Sequence, residues 1–282
     1  MKIKQNIPVT SISHSVDTLS YSMRIVEQLC SFDRVFGKPE NDAAREFLSK
    51  EMTEIFGESP KIIGETKNIV IGDPATSKFL VGAHYDSVEG TPGADDNASA
   101  VAVMLSIAKN IKEDICFVAF NGEECNLLGS KEFVKSIRKN NKIKQVHILE
   151  MVGYRSNESD SQENPLSGFL NIPTIGNFVG VVSNCDNFLD QIIRGSNKVD
   201  IPVIGLSIAD YSIDQINSFA PHLLRSDHTP FWNAGLSAVM WTDTAEFRNK
   251  NYHQPTDTPD TLDYEFMASV SQSVIETIKE SC

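Results

Sequence analysis

A three-layer α/β/α sandwich around a mixed, mainly parallel β-sheet is the fold this sequence predicts. Three observations lead there. Short, nearly continuous apolar runs recur along the chain, such as FLVGA at 79–83 and CFVAF at 116–120, and such runs suit strands buried on both faces. Segments with apolar residues at helical spacing lie between them. The alternation of the two kinds is that of strands connected through helices packed on either side of one sheet.

In chain order, residues 16–30 (VDTLSYSMRIVEQLC) and 40–56 (ENDAAREFLSKEMTEIF) carry the spacing of amphipathic helices. NIVIG (68–72) and KFLVGAHYD (78–86) read as strands, and NASAVAVMLSIAKNI (97–111) as a helix of small and apolar residues. DICFVAF (114–120) is a buried strand, EECNLLGSKEFVKSIRK (123–139) a helix and KQVHILEMVGY (144–154) a further strand. The polar stretch RSNESDSQENPLSG (155–168) has no apolar period and reads as a surface loop. FVGVVS (178–183) and IPVIGL (201–206) are strands flanking a helix near 185–197. LSAVMWTD (236–243) is one more strand, and residues 261–280 form an amphipathic helix. No internal repeat or low-complexity linker divides the chain, so residues 1–282 are expected to form one domain.

The net charge of −13 repels phosphate backbones and anionic membrane faces, which argues against nucleic-acid and membrane partners. No apolar run reaches the length of a membrane span. The start, MKIKQNIPVTSISHSV, lacks the apolar core of a signal peptide, so a cytoplasmic location is expected. The five cysteines (30, 116, 125, 185 and 282) are scattered without CxxC spacing. They are expected to be reduced, with no thiolate metal site or disulfide framework.

The polar groups gather just after the strands. His84 and Asp86 follow FLVGA, Asp95 and Asp96 follow a Pro-Gly turn, and Glu123 and Glu124 follow CFVAF. Glu150 ends VHIL, and His253 lies in a loop beyond the last strand. Each has a plain structural explanation: DDNAS can cap a helix, and a Glu pair can complement a helix N-terminus. Together, at successive strand ends of one α/β sheet, they suit a ligand site. Mixed His and carboxylate shells hold zinc, and a carboxylate shared by two zincs relieves their repulsion. Water between two such ions becomes acidic enough to act as hydroxide, and a glutamate that is not a ligand can pass its proton to a leaving amine. Asp86 is placed to orient His84, and Asp257 to do the same for His253.

GAHYDSV, PGADDNASA, NGEECNLLGS, ILEMVGY, SDHTPFWNAGLSAVMWTD and YHQPTDTPDTLDY resemble the signature segments of the co-catalytic zinc aminopeptidases. The resemblance covers residues from about 78 to 265. It implies two zinc ions per chain and a peptide substrate. His84 would bind one zinc, Glu124 and His253 the other, Asp95 would bridge them and Glu123 would be the general base. Asp86 would orient His84, and Tyr252 would touch the substrate. It also implies a cis peptide bond after Asp95, with Asp96 capping the next helix. Glu150 stands where the family usually has Asp, one methylene shorter; it is retained as a ligand of the second site.

The function expected is therefore removal of the N-terminal residue of peptides, with metal-bound hydroxide as nucleophile. A mono-zinc glutaminyl cyclase-like acyltransferase is one alternative, but the intact Asp pair, His84 and Glu150 argue against it. A carboxypeptidase acting on acidic residues is another, needing a basic pocket from Arg155, Arg194, Arg225 or Arg248. A non-catalytic binding protein ranks last, because no base or ligand is missing. Phe219, Leu223, Phe231 and Trp232 are apolar candidates for a pocket wall or for core.

Overall fold

The computed structural model describes residues 1–9, 12–137 and 141–281. Its elements in order are β1 (Lys2–Gln5), α1 (Val16–Cys30), α2 (Pro39–Phe56), β2 (Lys61–Ile63), β3 (Asn68–Ile71), β4 (Phe79–His84), α3 (Ala100–Asn110), β5 (Ile115–Phe120) and α4 (Leu128–Ile137). There follow β6 (Gln145–Glu150), β7 (Val179–Ser183), α5 (Asp186–Ser196), β8 (Val203–Ser207), α6 (Ile213–Phe219), α7 (His228–Asn233), β9 (Ala238–Thr242) and α8 (Tyr264–Glu280).

The strands form one sheet in the order β1-β8-β7-β9-β6-β4-β5-β3-β2. Its centre, β5-β4-β6-β9, is parallel throughout. β3 and β7 run against this centre, β8 runs with β7, and the edge strands β1 and β2 turn back again. β4, β5 and β9 are buried from end to end and β6 as far as Leu149, as their apolar runs require.

Helices cover both faces. Residues of α1, α2, α3, α5 and α8 close one core over the sheet, and residues of α4, α6 and α7 close the other. Local chemistry sets several boundaries. The Ser15 side chain accepts from Thr18 N at the start of α1, Pro39 opens α2 and Gly57 ends it in the left-handed region, and the Asp263 carboxylate caps α8 at Phe266 N.

The expected layers and the central strands are present. The helix expected over 123–139 starts only at Leu128, because Asn126 and Leu127 have φ of 69° and 60° and make a turn of the preceding residues; its positions 138 and 139 lie outside the described residues. The strand expected to reach Tyr154 stops at Glu150, where Met151 adopts φ 47°. The helix expected from Asn97 begins only at Ala100 and is entered through an irregular turn, Ala94–Ser99, in which Asp96 and Asn97 have non-helical dihedrals. β1, β2, α6 and α7 were not foreseen. Cys30, Cys116, Cys125 and Cys185 are free thiols, as expected; Cys282 lies outside the described residues.

Candidate metal centre

Parallel strands end together, and their ends bring the polar residues into one place. His84 closes β4 and Glu150 closes β6. Glu123 and Glu124 follow β5, and the Asp pair lies in the turn entering α3.

That turn is held from several sides. Arg34, wholly buried, donates to the carbonyls of Leu29, Tyr85, Pro92 and Gly93, each at 2.8 Å. Gly93 has φ 65°, and a Cβ there would stand 2.4 Å from the Asp96 carbonyl oxygen. The Asp257 carboxylate accepts from Asp95 N at 2.9 Å and Asp96 N at 3.1 Å. Asn97 reaches across to the end of β6, donating to Leu149 O and accepting from Met151 N. The peptide bond between Asp96 and Asn97 is cis.

The two aspartates consequently face opposite ways. Asp96 Oδ1 lies 3.4 Å from His84 Nε2, and its Oδ2 lies 3.0 Å from His253 Nε2. Glu150 Oε1 lies 3.5 Å from His84 Nε2, and Glu124 Oε2 lies 3.6 Å from His253 Nε2. Three overlapping groups have ligand atoms within 4.8 Å of one another: His84–Asp96–Glu150, His84–Glu123–Glu124 and Asp96–Glu124–His253. The first and the last use each of these histidines once and share Asp96, and they form the two donor sets. Asp95 belongs to neither. Its carboxylate accepts from Gly153 N at 2.9 Å and from Asn249 Nδ2 at 2.6 Å, deep behind the turn. The expectation for the pair is therefore corrected by one position: Asp96, not Asp95, stands between the two sets, and the cis bond follows Asp96. Nor does Asp96 cap the helix, since its side chain is turned to the two imidazoles.

Asp86 joins two parts of the cluster. Its carboxylate accepts from Glu123 N and Glu124 N, each at 3.2 Å. His84 Nδ1 lies 3.2 Å from the Asp86 carbonyl oxygen and 3.4 Å from Oδ1. Asp257, expected beside His253, grips the backbone of the turn instead. Glu123 Oε2 is 4.0 Å from His84 Nε2, beside both donor sets. Tyr252 stacks on the His253 ring at 3.8 Å between centroids.

The donor chemistry fits divalent cations. His84 Nε2 and His253 Nε2 are shut from solvent without an aligned hydrogen bond, although carboxylate oxygens surround them. Burial pushes the Glu123 carboxyl well above the usual range, and neighbouring acids add to the shift. Burial likewise raises Glu124 to about 7, with the Asp96 charge next in effect. Burial works against the charged form of His253 too, yet Asp96 and Glu124 hold it up at about 10. Burial opposes ionisation of Asp96, but His253 and His84 outweigh it and hold that carboxyl well below the ordinary range. Acids outnumber the histidines, and a divalent ion in each donor set would offset the excess.

Several residues of the centre escaped sequence reasoning. Ser226 donates to Glu150 Oε2 at 2.6 Å; it lies in the matched segment SDHTPFW, the only signal it offered. Asp243 ends that same segment and Asn249 stands just before the YHQPTDT motif, but neither is a residue type that alone marks a role there; Arg34 lies far from every motif and carried no signal. Of the apolar candidates, Leu223 lines the cavity beside the centre, Phe231 and Trp232 are core, and Phe219 stacks with Phe169 and Tyr211. The arginines do not converge. Arg155 pairs with Asp263 and Arg194 lies by Glu280. Arg248 is buried on Gln162 and the Phe178 carbonyl. Arg225 lines the cavity but pairs with Glu246.

Fold and site together define an α/β protein with a histidine–carboxylate centre for divalent cations at the carboxyl ends of its parallel strands. Residues 66–185 and 206–278 match the model of peptidase family M28, and the chain belongs to that family. It is similar to the uncharacterized protein YfbL of Escherichia coli K12, with 35% identity over 77% of this chain and 72% of that one. It is also similar to aminopeptidase YwaD of Bacillus subtilis, with 30% identity over 79% of this chain; that match spans 45% of YwaD, under half its length. Among solved structures, LapB from Legionella pneumophila has the same fold, with TM-score 0.69, 21% identity and coverage of 96% of this chain and 76% of that one. A glutaminyl cyclase from Porphyromonas gingivalis shares the fold as well, with TM-score 0.61, 17% identity and coverage of 94% and 98%. The family resemblance carried by the motifs therefore holds. No helix among the described residues is long and apolar enough to cross a membrane.

Proposed function

We propose that the chain is a two-zinc aminopeptidase. One observation carries the proposal: two donor sets share Asp96, with Glu123 beside them, at the end of a cavity that Asp96, Glu123, Glu124 and Glu150 all line. In this reading His84, Asp96 and Glu150 hold one zinc and Asp96, Glu124 and His253 the other. Two zinc ions, when bound, polarise the scissile carbonyl and make water a nucleophile near neutral pH. Glu123 takes the proton of the attacking water and delivers it to the leaving amine. Burial, which raises its carboxyl, suits that exchange. Asp86 keeps the His84 ring and the Glu123–Glu124 backbone in register with each other, and Ser226 fixes the second oxygen of Glu150. Tyr252, in the cavity wall, is placed to meet the substrate.

Charge favours the amino end of a peptide over the carboxyl end. Glu123, Glu124 and Glu150 line the cavity and offer acceptors to an α-ammonium, whereas Arg225, the arginine in the cavity wall, is already paired with Glu246. The carboxypeptidase reading has no basic pocket to support it among the described residues. The cyclase reading needs one metal, whereas two histidines here face separate donor sets.

The test measures zinc per chain and hydrolysis of leucine anilide against its N-acetylated form. Two zincs, cleavage of the free-amine substrate alone, and a fall in kcat of about 10²-fold or more in Glu123→Gln at unchanged zinc content are expected. One zinc and no anilide cleavage would overturn the reading.

A further inference from the structure

The cavity beside the metal centre is larger than an amino-acid side chain needs, and its floor has an order set by strand register. One row of cross-strand partners runs Glu150, Thr242, Gly180 and Ile204, over β6, β9, β7 and β8. A neighbouring row of partners, on the same face, runs Met240, Val182, Leu206 and Ile3 over β9, β7, β8 and β1. Both rows line the one cavity. From β6 to β1 there are four strand steps, so the floor extends about 19 Å from a metal-centre carboxylate to the sheet edge. Val182, Ile204, Leu206 and Met240 keep 7–8% exposure towards it, while Val181, Val203, Val239 and Trp241 on the opposite face keep 0–1%. Leu166, Leu170 and Ile172 of the loop before β7 and Leu223 close over it.

The cavity volume is about 450 Å³. A cavity of about 150 Å³ accommodates a benzene ring, so this one holds roughly three times that bulk. Gly180, midway along the floor, is bare without a packing reason. A Cβ there would meet Thr242 O at 3.4 Å, Thr244 Cγ2 at 3.5 Å and Thr242 Cγ2 at 3.7 Å, all ordinary contacts. Glycine weakens a strand interior, and here its lack of a side chain keeps the passage open between the metal centre and the apolar far end.

Resting on the hydrolase reading above, we propose that the site takes amides whose scissile carbonyl bears an unbranched alkyl chain longer than any standard side chain, laid along this floor. Water adds across the C–N bond: its hydroxyl goes to the carbonyl carbon and its proton to the leaving amine. Two substrate types share this chemistry, an N-terminal residue with a long aliphatic side chain and a fatty-acyl amide.

The experiment is a series of anilides of leucine, norleucine, α-aminooctanoic and α-aminododecanoic acid, with dodecanoyl anilide as the arm lacking an amine. kcat/KM is expected to rise by about an order of magnitude or more from leucyl to α-aminododecanoyl as buried methylenes accumulate. Gly180→Leu, which suits a strand better than glycine, is expected to fold and to lower the α-aminododecanoyl-to-leucyl ratio at least about tenfold. Cleavage of dodecanoyl anilide would assign the chain to fatty-acyl amides; resistance would assign it to free-amine residues. A kcat/KM that falls beyond norleucine, or a ratio untouched by Gly180→Leu, would overturn the proposal. Calorimetric binding of dodecylamine to the metal-free protein separates it from the hydrolase reading. Binding weakened by Gly180→Leu without cleavage of any anilide would keep the alkyl floor and end the hydrolase reading; neither binding nor cleavage would end both.

Discussion

Asp95 and Asp96 are the same residue type, adjacent in the chain and both buried, and their environments divide them. Asp96 looks at two imidazoles; Asp95 looks at Gly153 N and Asn249. Asp96→Ala is expected to reduce bound zinc to at most one per chain, since both donor sets lose a member. Asp95→Asn, which keeps a side-chain carbonyl oxygen for Gly153 N, is expected to retain two. Metal analysis of the two purified variants checks this, and equal losses would return the bridge to Asp95. The motif showed that one aspartate of the pair belonged in the cluster; which one depends on a backbone reversal fixed by the neighbouring Asn97 and by Arg34 and Asp257, which are remote in sequence. His84, Glu123, Glu124 and Glu150 were legible as a set because each stands at or just after the end of a central strand, so the strand end aims it, whereas His253, in a loop beyond β9, was legible through its motif.

At the scale of elements, the turn between β4 and α3 is the critical piece. Gly93→Ala places a Cβ 2.4 Å from the Asp96 carbonyl oxygen at φ 65°, a cost of about 1–3 kcal/mol. A lower melting temperature and weaker zinc retention against a chelator are expected together, because the same backbone carries Asp96. Arg34→Lys leaves an ammonium with three donors facing four carbonyls, and a loss of about 2 kcal/mol in denaturant unfolding is expected. Long buried strands and helices were readable from their periods. β1 and β2 were not: they are three or four residues long, lie at the sheet edges and carry outward lysines, the composition of guarded edges rather than of core strands. α7 was hidden for another reason, since His228–Asn233 spans six residues and is buried almost all round, without an amphipathic period.

For the whole molecule, acid is the natural denaturant. Burial pulls His147 down from 6.5 to about 3 and His228 to about 4. The unfolded chain therefore binds protons on these rings that the folded chain refuses. Their contribution to stability is complete above pH 6.5 and shrinks as pH falls from there towards 3 or 4. His147→Gln, with an acceptor left for the Trp241 indole N–H, is expected to reduce the loss of stability between pH 7 and pH 5 by on the order of 2 kcal/mol. Denaturant titrations of parent and variant at the two pH values measure it; parallel losses would place His147 outside the acid response.

The donor sets described above also have a meaning in polymer terms. His84 and His253 are separated by more than half of the chain, with Asp96, Glu124 and Glu150 spaced between them. Two ions sharing Asp96 would tie all five points at once. They would act as a removable cross-link, closing large loops in any partly unfolded chain, and closure of long loops carries the greatest entropic weight. Chelation would then loosen the molecule far from the place where the ions sat.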